Sequence, residues 1–141
     1  MKLTIRSSNL TLCILLLSGL LVLTVVAAGR PTPAKPYGAA AFETRCGWFS
    51  NPTPANAWLY DRAGEWTIGV QGGHQAEGDW PDFKSNQWVR TNGNYGYGCA
   101  CFQLRVDRQT HNVLEIKSAR PRPLSQCRHD PALKKWNRKL Q

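Results

Sequence analysis

Two sets of residues in this chain carry reactive chemistry. One is the cysteines Cys46, Cys99, Cys101 and Cys127; the other is His74 with the nearby acids Glu77, Asp79 and Asp82. Cysteine can form disulfides, bind a metal or act as a nucleophile. A zinc site favours C-x₂₋₄-C spacing, which the C-x-C of Cys99 and Cys101 does not match, so no metal is expected. A nucleophilic thiol needs a lowered pKa and an adjacent base, and nothing in the spacing of His74, His111 or His129 singles one out. Two disulfides are the reading that remains. Cys99 and Cys101 are too close in the chain to pair without strain, and in a strand both point to one face. That leaves Cys46–Cys99 with Cys101–Cys127, or Cys46–Cys101 with Cys99–Cys127. Either pairing ties the opening and closing segments to one central strand and contributes about 3–4 kcal/mol per bridge on the chain-entropy account. No cofactor is expected.

His74 suits acid–base work by type, and the glycines around it would let its loop close over a substrate. That gives one alternative function, a small periplasmic hydrolase using His74 with a loop carboxylate. The constellation lacks a second half. A binding surface is the stronger reading. Six tryptophans lie between Trp48 and Trp136, and Trp80 sits in a Gly/Asp/Pro loop with no periodic reason for burial. Aromatic faces stack on sugar C–H faces, and amides bond hydroxyls. The candidate binding residues are Trp48, Asn51, His74, Trp80, Asn92, Asn94, Tyr95 and Tyr97. The function expected is a non-enzymatic cell-envelope binding module for a glycan or protein. A periplasmic inhibitor of a lytic enzyme is the other alternative, although the basic charge disfavours lysozyme, itself usually basic, as its target.

The compartment is read from the first 28 residues. Met1–Asn9 carries Lys2 and Arg6 and no acid, Leu10–Ala27 is an almost unbroken apolar run, and Val26-Ala27-Ala28 closes it with small residues. This is the layout of a secretory signal peptide cleaved near Ala28, which takes Cys13 with it and places the protein in the periplasm or outside the cell. A retained signal anchor is the rival; Ser18-Gly19 weakens the run as a permanent span, so no transmembrane span is expected after processing. The formal net charge is +9, which favours anionic partners such as an envelope glycan. Nucleic acid is disfavoured, and the basic residues at 134–139 read as a solvated tail.

What must position these residues is a small domain. Residues 29–41 are a Pro/Ala-rich linker, 42–133 a disulfide-stapled β domain and 134–141 a basic C-terminal tail. The fold class is mainly β: an antiparallel sheet of about five strands with a short C-terminal helix. Ala57–Tyr60 and Glu65–Gln71 flank a four-residue hairpin loop, with Trp66, Ile68 and Val70 on one face. Gly72–Phe83 is a long loop. Gln87–Thr91 is a short strand, and Asn92-Gly93 forms a type I′ turn into Tyr95–Asp107. On that strand Tyr95, Tyr97, Cys99 and Cys101 share one face and Gly96, Gly98, Ala100, Phe102 and Leu104 the other. The glycines leave bare backbone that another segment or a ligand can approach. Asn112–Ser118 follows with Leu114 and Ile116 inward, and the prolines Pro121 and Pro123 end the sheet. Asp130-Pro131 caps a short basic helix over about Pro131–Arg138.

The run Arg45-Cys46-Gly47-Trp48-Phe49, then Asn51-Pro52-Thr53-Pro54, Trp58-Leu59, Gly64-Glu65-Trp66-Thr67-Ile68, Gln71-Gly72-Gly73 and Asn92–Cys101 resembles a family of small exported bacterial proteins known only as a domain of unknown function. The likeness spans about Glu43 to Leu133. It implies an exported, cysteine-stapled domain and brings no activity or catalytic residues with it.

Overall fold

The computed structural model describes residues 41–140. The expected signal peptide and nearly all of the expected linker lie outside the described residues. Six strands run β1 (Glu43–Thr53), β2 (Asn56–Tyr60), β3 (Glu65–Gly69), β4 (Trp88–Asn92), β5 (Tyr95–Asp107) and β6 (Asn112–Arg122). Two short helices follow, α1 (Leu124–His129) and α2 (Lys134–Lys139), with a 3-10 turn at Pro131–Leu133 between them. The fold is mainly β, as the alternation predicts. Among the described residues no helix is long and apolar enough to cross a membrane.

The sheet closes on itself. β1 pairs with β2 along one edge and with β5 along the other, and the circuit β1-β2-β3-β6-β5 returns to β1. Four of these five contacts are antiparallel: β1–β2, β2–β3, β5–β6 and β1–β5. A ring with an odd number of strands cannot alternate direction all the way round, so the last contact, β3–β6, has to be parallel. It consists of the single pair Thr67↔Asn112. This mixed closure corrects the all-antiparallel expectation; β1 is the strand added to the expected five, and β4, expected at Gln87–Thr91, pairs antiparallel with β5 outside the ring.

Where β3 and β6 part, the Gly72–Phe83 segment fills the gap. Ala76 N–H donates to the Ile68 carbonyl, Glu77 N–H to Leu114, and Ile116 N–H returns to the Glu77 carbonyl. The long loop is therefore a seam, which satisfies backbone groups that would otherwise sit unpaired. Gly78, at φ 97°, lies so close to the Ile116 carbonyl that no side chain fits.

Two apolar layers result from the strand period. Phe49, Leu59, Trp66, Ile68, Ala100, Phe102, Leu104, Val113 and Ile116 fill the ring's interior. Outside it, Trp48, Tyr60, Tyr97, Cys99, Cys127 and Leu133 form a second cluster, with Leu124 and Trp136 packed against it. The face separation expected on β5 is present, with Ala100, Phe102 and Leu104 inward and Tyr97 and Cys99 outward. Both disulfides belong to the second of the two possible pairings. Cys46–Cys101 links directly opposed residues of β1 and β5, with Cα atoms 4.0 Å apart. Cys99–Cys127 fastens α1 to the outer wall.

Four local expectations fail for identifiable reasons. Val70 is exposed rather than sharing the buried face of Trp66 and Ile68, because β3 stops at Gly69 and the alternation stops with it. Val113, not Leu114, is inward beside Ile116, because β-bulges between Gln103/Leu104 and Arg105/Val106 break the two-residue period of β6. The β4–β5 turn is centred on Gly93-Asn94 between the paired Asn92 and Tyr95, and Gly93 alone has positive φ, at 57°. It is thus not a type I′ turn at Asn92-Gly93. Finally, the sheet continues through Pro121, which pairs with Ala100. No described strand lies beyond β6 at that point, and a proline is tolerated where its nitrogen can face an open edge.

At the C-terminus the Asp130 side chain accepts from Ala132 N–H, the expected cap ahead of Pro131. The helix lies at Lys134–Lys139, after the 3-10 turn. It is held to the domain by Trp136, whose Nε1–H donates to the Asp61 carbonyl at 2.8 Å and whose ring packs on Tyr60.

Candidate functional site

Four aromatic rings converge beside the β4–β5 hairpin. Phe49 reaches it from β1, Trp80 and Phe83 from the end of the seam segment, and Trp88 from β4. Phe83 stacks on Phe49 with centroids 5.9 Å apart and lies 4.9 Å from Trp88, while Trp80 meets Phe49 edge-on at 5.7 Å. Together with Asn51, Ser85, Arg90 and Asn94 they line an open groove of about 620 Å³, within the usual size range of small-molecule sites.

The glycines of β5 are what let the groove form. Any Cβ on Gly96 would fall on the Val89 carbonyl, and one on Gly98 would strike the Phe83 ring and the Gln87 carbonyl. The bare strip of backbone is therefore occupied by β4 and Phe83, so another segment of the chain takes the place left open for a segment or a ligand.

Two of the groove's polar groups are oriented by hydrogen bonds. Asn51 Nδ2 donates to the Thr53 and Asn56 carbonyls at 2.8 and 2.6 Å, which leaves its Oδ1 as an acceptor. Trp88 Nε1–H is bonded to the Asn94 carbonyl at 3.2 Å, fixing the ring against the turn. Trp80 Nε1–H has no hydrogen-bond partner and Arg90 no ion pair among the described residues. The site thus offers ring faces, one indole donor, amide groups and one unneutralised guanidinium.

Of the eight residues expected to bind, Asn51, Trp80 and Asn94 meet in this groove. Trp48 and Tyr97 do not join them. Trp48 is 1% exposed, donates its Nε1–H to Asn137 Oδ1 at 2.7 Å and meets Tyr97 edge-on in the outer cluster. Asn92 and Tyr95 flank the turn without lining the groove. His74 is held elsewhere: its Nε2 lies 2.7 Å from the Val113 carbonyl, so that nitrogen carries the proton it donates. Glu77, Asp79 and Asp82 are exposed and make no side-chain bond to His74 among the described residues. No three His, Cys, Asp or Glu side chains there converge as a metal site.

Sequence reasoning missed Phe49, Phe83, Ser85, Trp88 and Arg90. The signal available was the clustering of Trp80, Phe83 and Trp88 within nine residues around Pro81.

A buried polar group closes the other end of the ring. Arg45 Nη1 donates to Asp61 Oδ2 at 2.6 Å, and the guanidinium lies 3.9 Å from the centroid of the Trp66 ring. Asp61 Oδ1 also accepts from the Ala63 and Gly64 N–H groups and from Trp66 Nε1–H. Each of these groups has its own partners, which marks the cluster as structural.

Neither a curated protein nor a solved structure matches this sequence. A family model does, over residues 40–134, covering the six strands, both disulfides and the groove. By that match, the chain belongs to the family described as "Protein of unknown function (DUF4087)".

Proposed function

We propose that the protein is an exported, non-catalytic module of the cell envelope that binds a glycan in the Trp80–Trp88 groove. The observation that carries this reading is the groove's composition, with two tryptophans, the Asn51 amide held by two hydrogen bonds and the Asn94 side chain around one open trough. Ring faces stack on the apolar faces of sugars, while Asn51 Oδ1, Trp80 Nε1–H and the Asn94 amide exchange hydrogen bonds with hydroxyls or acetamido groups. Two disulfides are compatible with an oxidising compartment, where such bonds persist. The basic composition favours anionic envelope polymers as the surroundings in which the groove works.

Purified peptidoglycan is the probe. The wild-type protein should be retained on it, and Trp80→Ala and Trp88→Ala, each with wild-type folding by circular dichroism, should be released. Absence of retention of the folded wild type, or equal retention of both variants, overturns the reading.

A further inference from the structure

A second site lies on the outer wall, away from the groove. Arg120 and Arg122 are two residues apart on β6 and so project to the same face. In register they stand beside Cys101 and Cys99 of β5. The next row along the wall is Thr44, Gln103 and Ser118. With Cys101 and Phe102 these side chains line a pocket of about 180 Å³.

Three features of this pocket point to one chemistry. Its polar lining consists of hydroxyl, amide and guanidinium donors and contains no carboxylate. Neither arginine has an ion pair among the described residues, although the neighbouring acids are engaged: Glu115 by Arg105, Glu43 by Arg45 and Arg108, and Asp61 by Arg45. Among the described residues the Nε of Arg122, like that of Arg105, is buried and has no hydrogen-bond partner. A buried donor left unsatisfied is costly, and such groups in native proteins normally have a water or an ion as partner. Two guanidinium groups lining a pocket of this size that holds no carboxylate, beside hydroxyls and an amide that can donate, match the oxygens of a phosphate group.

We infer that Arg120 and Arg122, with Ser118, Gln103 and Thr44, form an oxyanion site for a phosphate group, either free or as a terminal phosphomonoester. Binding is noncovalent and involves no proton or bond transfer. Arg122 supplies the inner guanidinium, Arg120 closes from the solvent side, and the hydroxyl and amide row orients the remaining oxygens. The site shares no residue with the Trp80–Trp88 groove, so the two stand or fall separately.

The test uses the full exported protein with two probes. Inorganic phosphate is titrated by calorimetry at constant ionic strength set with chloride. Vesicles of phosphatidylcholine with and without phosphatidic acid report on a membrane-borne phosphomonoester. Saturable binding of either probe is expected to weaken about tenfold or more in Arg120→Gln, the usual loss for a charge-assisted bond. Arg120→Lys, which keeps the charge and loses the fork, should also bind more weakly than wild type. Trp80→Ala should bind like wild type. Phosphate binding alone assigns the site to the free ion, and vesicle binding alone to a lipid headgroup. Failure of both probes, or binding that Arg120→Gln leaves unchanged, overturns the inference. Arg122→Gln is added if its melting point shows it folded; Arg120, being exposed, carries the test without it.

Discussion

Arg45 and Asp61, 16 residues apart, form a buried ion pair across the end of the ring, with an Nη1–Oδ2 distance of 2.6 Å and side chains only 9% and 3% exposed. The carboxylate also holds the Asp61–Gly64 turn by accepting from two backbone N–H groups, and it accepts the Trp66 indole N–H. Removing it leaves three donors without an acceptor and the buried guanidinium with only its bond to Glu43 Oε1. Asp61→Ala is therefore expected to cost about 3–5 kcal/mol, the range for breaking one side of a buried pair. Equilibrium urea unfolding measures it. A loss below about 1 kcal/mol would mean that water replaces the carboxylate, as it does for an ordinary surface pair.

The two disulfides should differ in reactivity. Cys99 and Cys127 are 3% and 2% exposed under α1, whereas Cys46 is exposed on the barrel wall. Thiolate attack requires access to a sulfur. Under limiting reductant, alkylation followed by peptide mapping should label Cys46 and Cys101 well before Cys99 and Cys127. Equal labelling at all times would show that α1 opens as readily as the wall is reached.

Loss of the two bridges should also have different structural consequences. Replacing Cys46 and Cys101 by Ser leaves β1 and β5 paired from Glu43↔Leu104 to Asn51↔Gly96, so the barrel should stay folded at a cost of up to about 4 kcal/mol. Replacing Cys99 and Cys127 removes the covalent tie of α1, and protection of the α1 and α2 amides in hydrogen exchange should fall before that of the strands. If the strands lose protection first, the helices are not the peripheral layer.

Much of this architecture is legible in the sequence because strands repeat every two residues. The inward row Ala100, Phe102, Leu104 and the outward Tyr97 and Cys99 follow from that period alone. The period fails where backbone register is set by partners distant in sequence. The bulges that bring Val113 inward depend on β5, and the role of Gly72–Phe83 as a seam depends on how far β3 and β6 separate. The groove was half legible for the same reason. Trp80 lacked a buried period and so stood out as a binder, whereas Trp48 stood out equally but is consumed by α2, through a contact with Asn137 that is 89 residues away.

Gly96 is the position that separates groove from barrel. A Cβ there collides with the Val89 carbonyl, which is backbone and cannot swing aside. Gly96→Ala should displace β4, and with it Trp88 and Arg90, while β1 and β6 remain paired to the rest of β5. The expected result is loss of peptidoglycan retention with the strand signal in circular dichroism largely kept. Unchanged retention would place the ligand away from β4.

Alkaline pH should weaken the contact between the C-terminal helix and the barrel. Burial, reinforced by Glu65, raises the Tyr60 pKa above its ordinary value of 10.0, although Lys139 opposes the shift. The Lys139 pKa is raised above 10.5, first by its hydrogen bond to Glu65. Unfolded Tyr60 releases its proton near pH 10 while the folded form still holds it, so stability falls as pH rises past about 10. The Lys139 contribution is complete below its unfolded pKa and is lost as pH rises through the higher folded value, so both groups act in the same direction. Lys139 is half exposed, and its share should be small and screened by salt. Urea midpoints between about pH 9 and pH 11 should therefore drop for the wild type and drop less for Tyr60→Phe, which keeps the ring on Trp136. Adding salt should reduce the part lost in Lys139→Gln and leave the Tyr60 part in place, because the latter comes mainly from burial. Parallel profiles for the wild type and Tyr60→Phe would show that the phenol is not held away from water by Trp136 and α2.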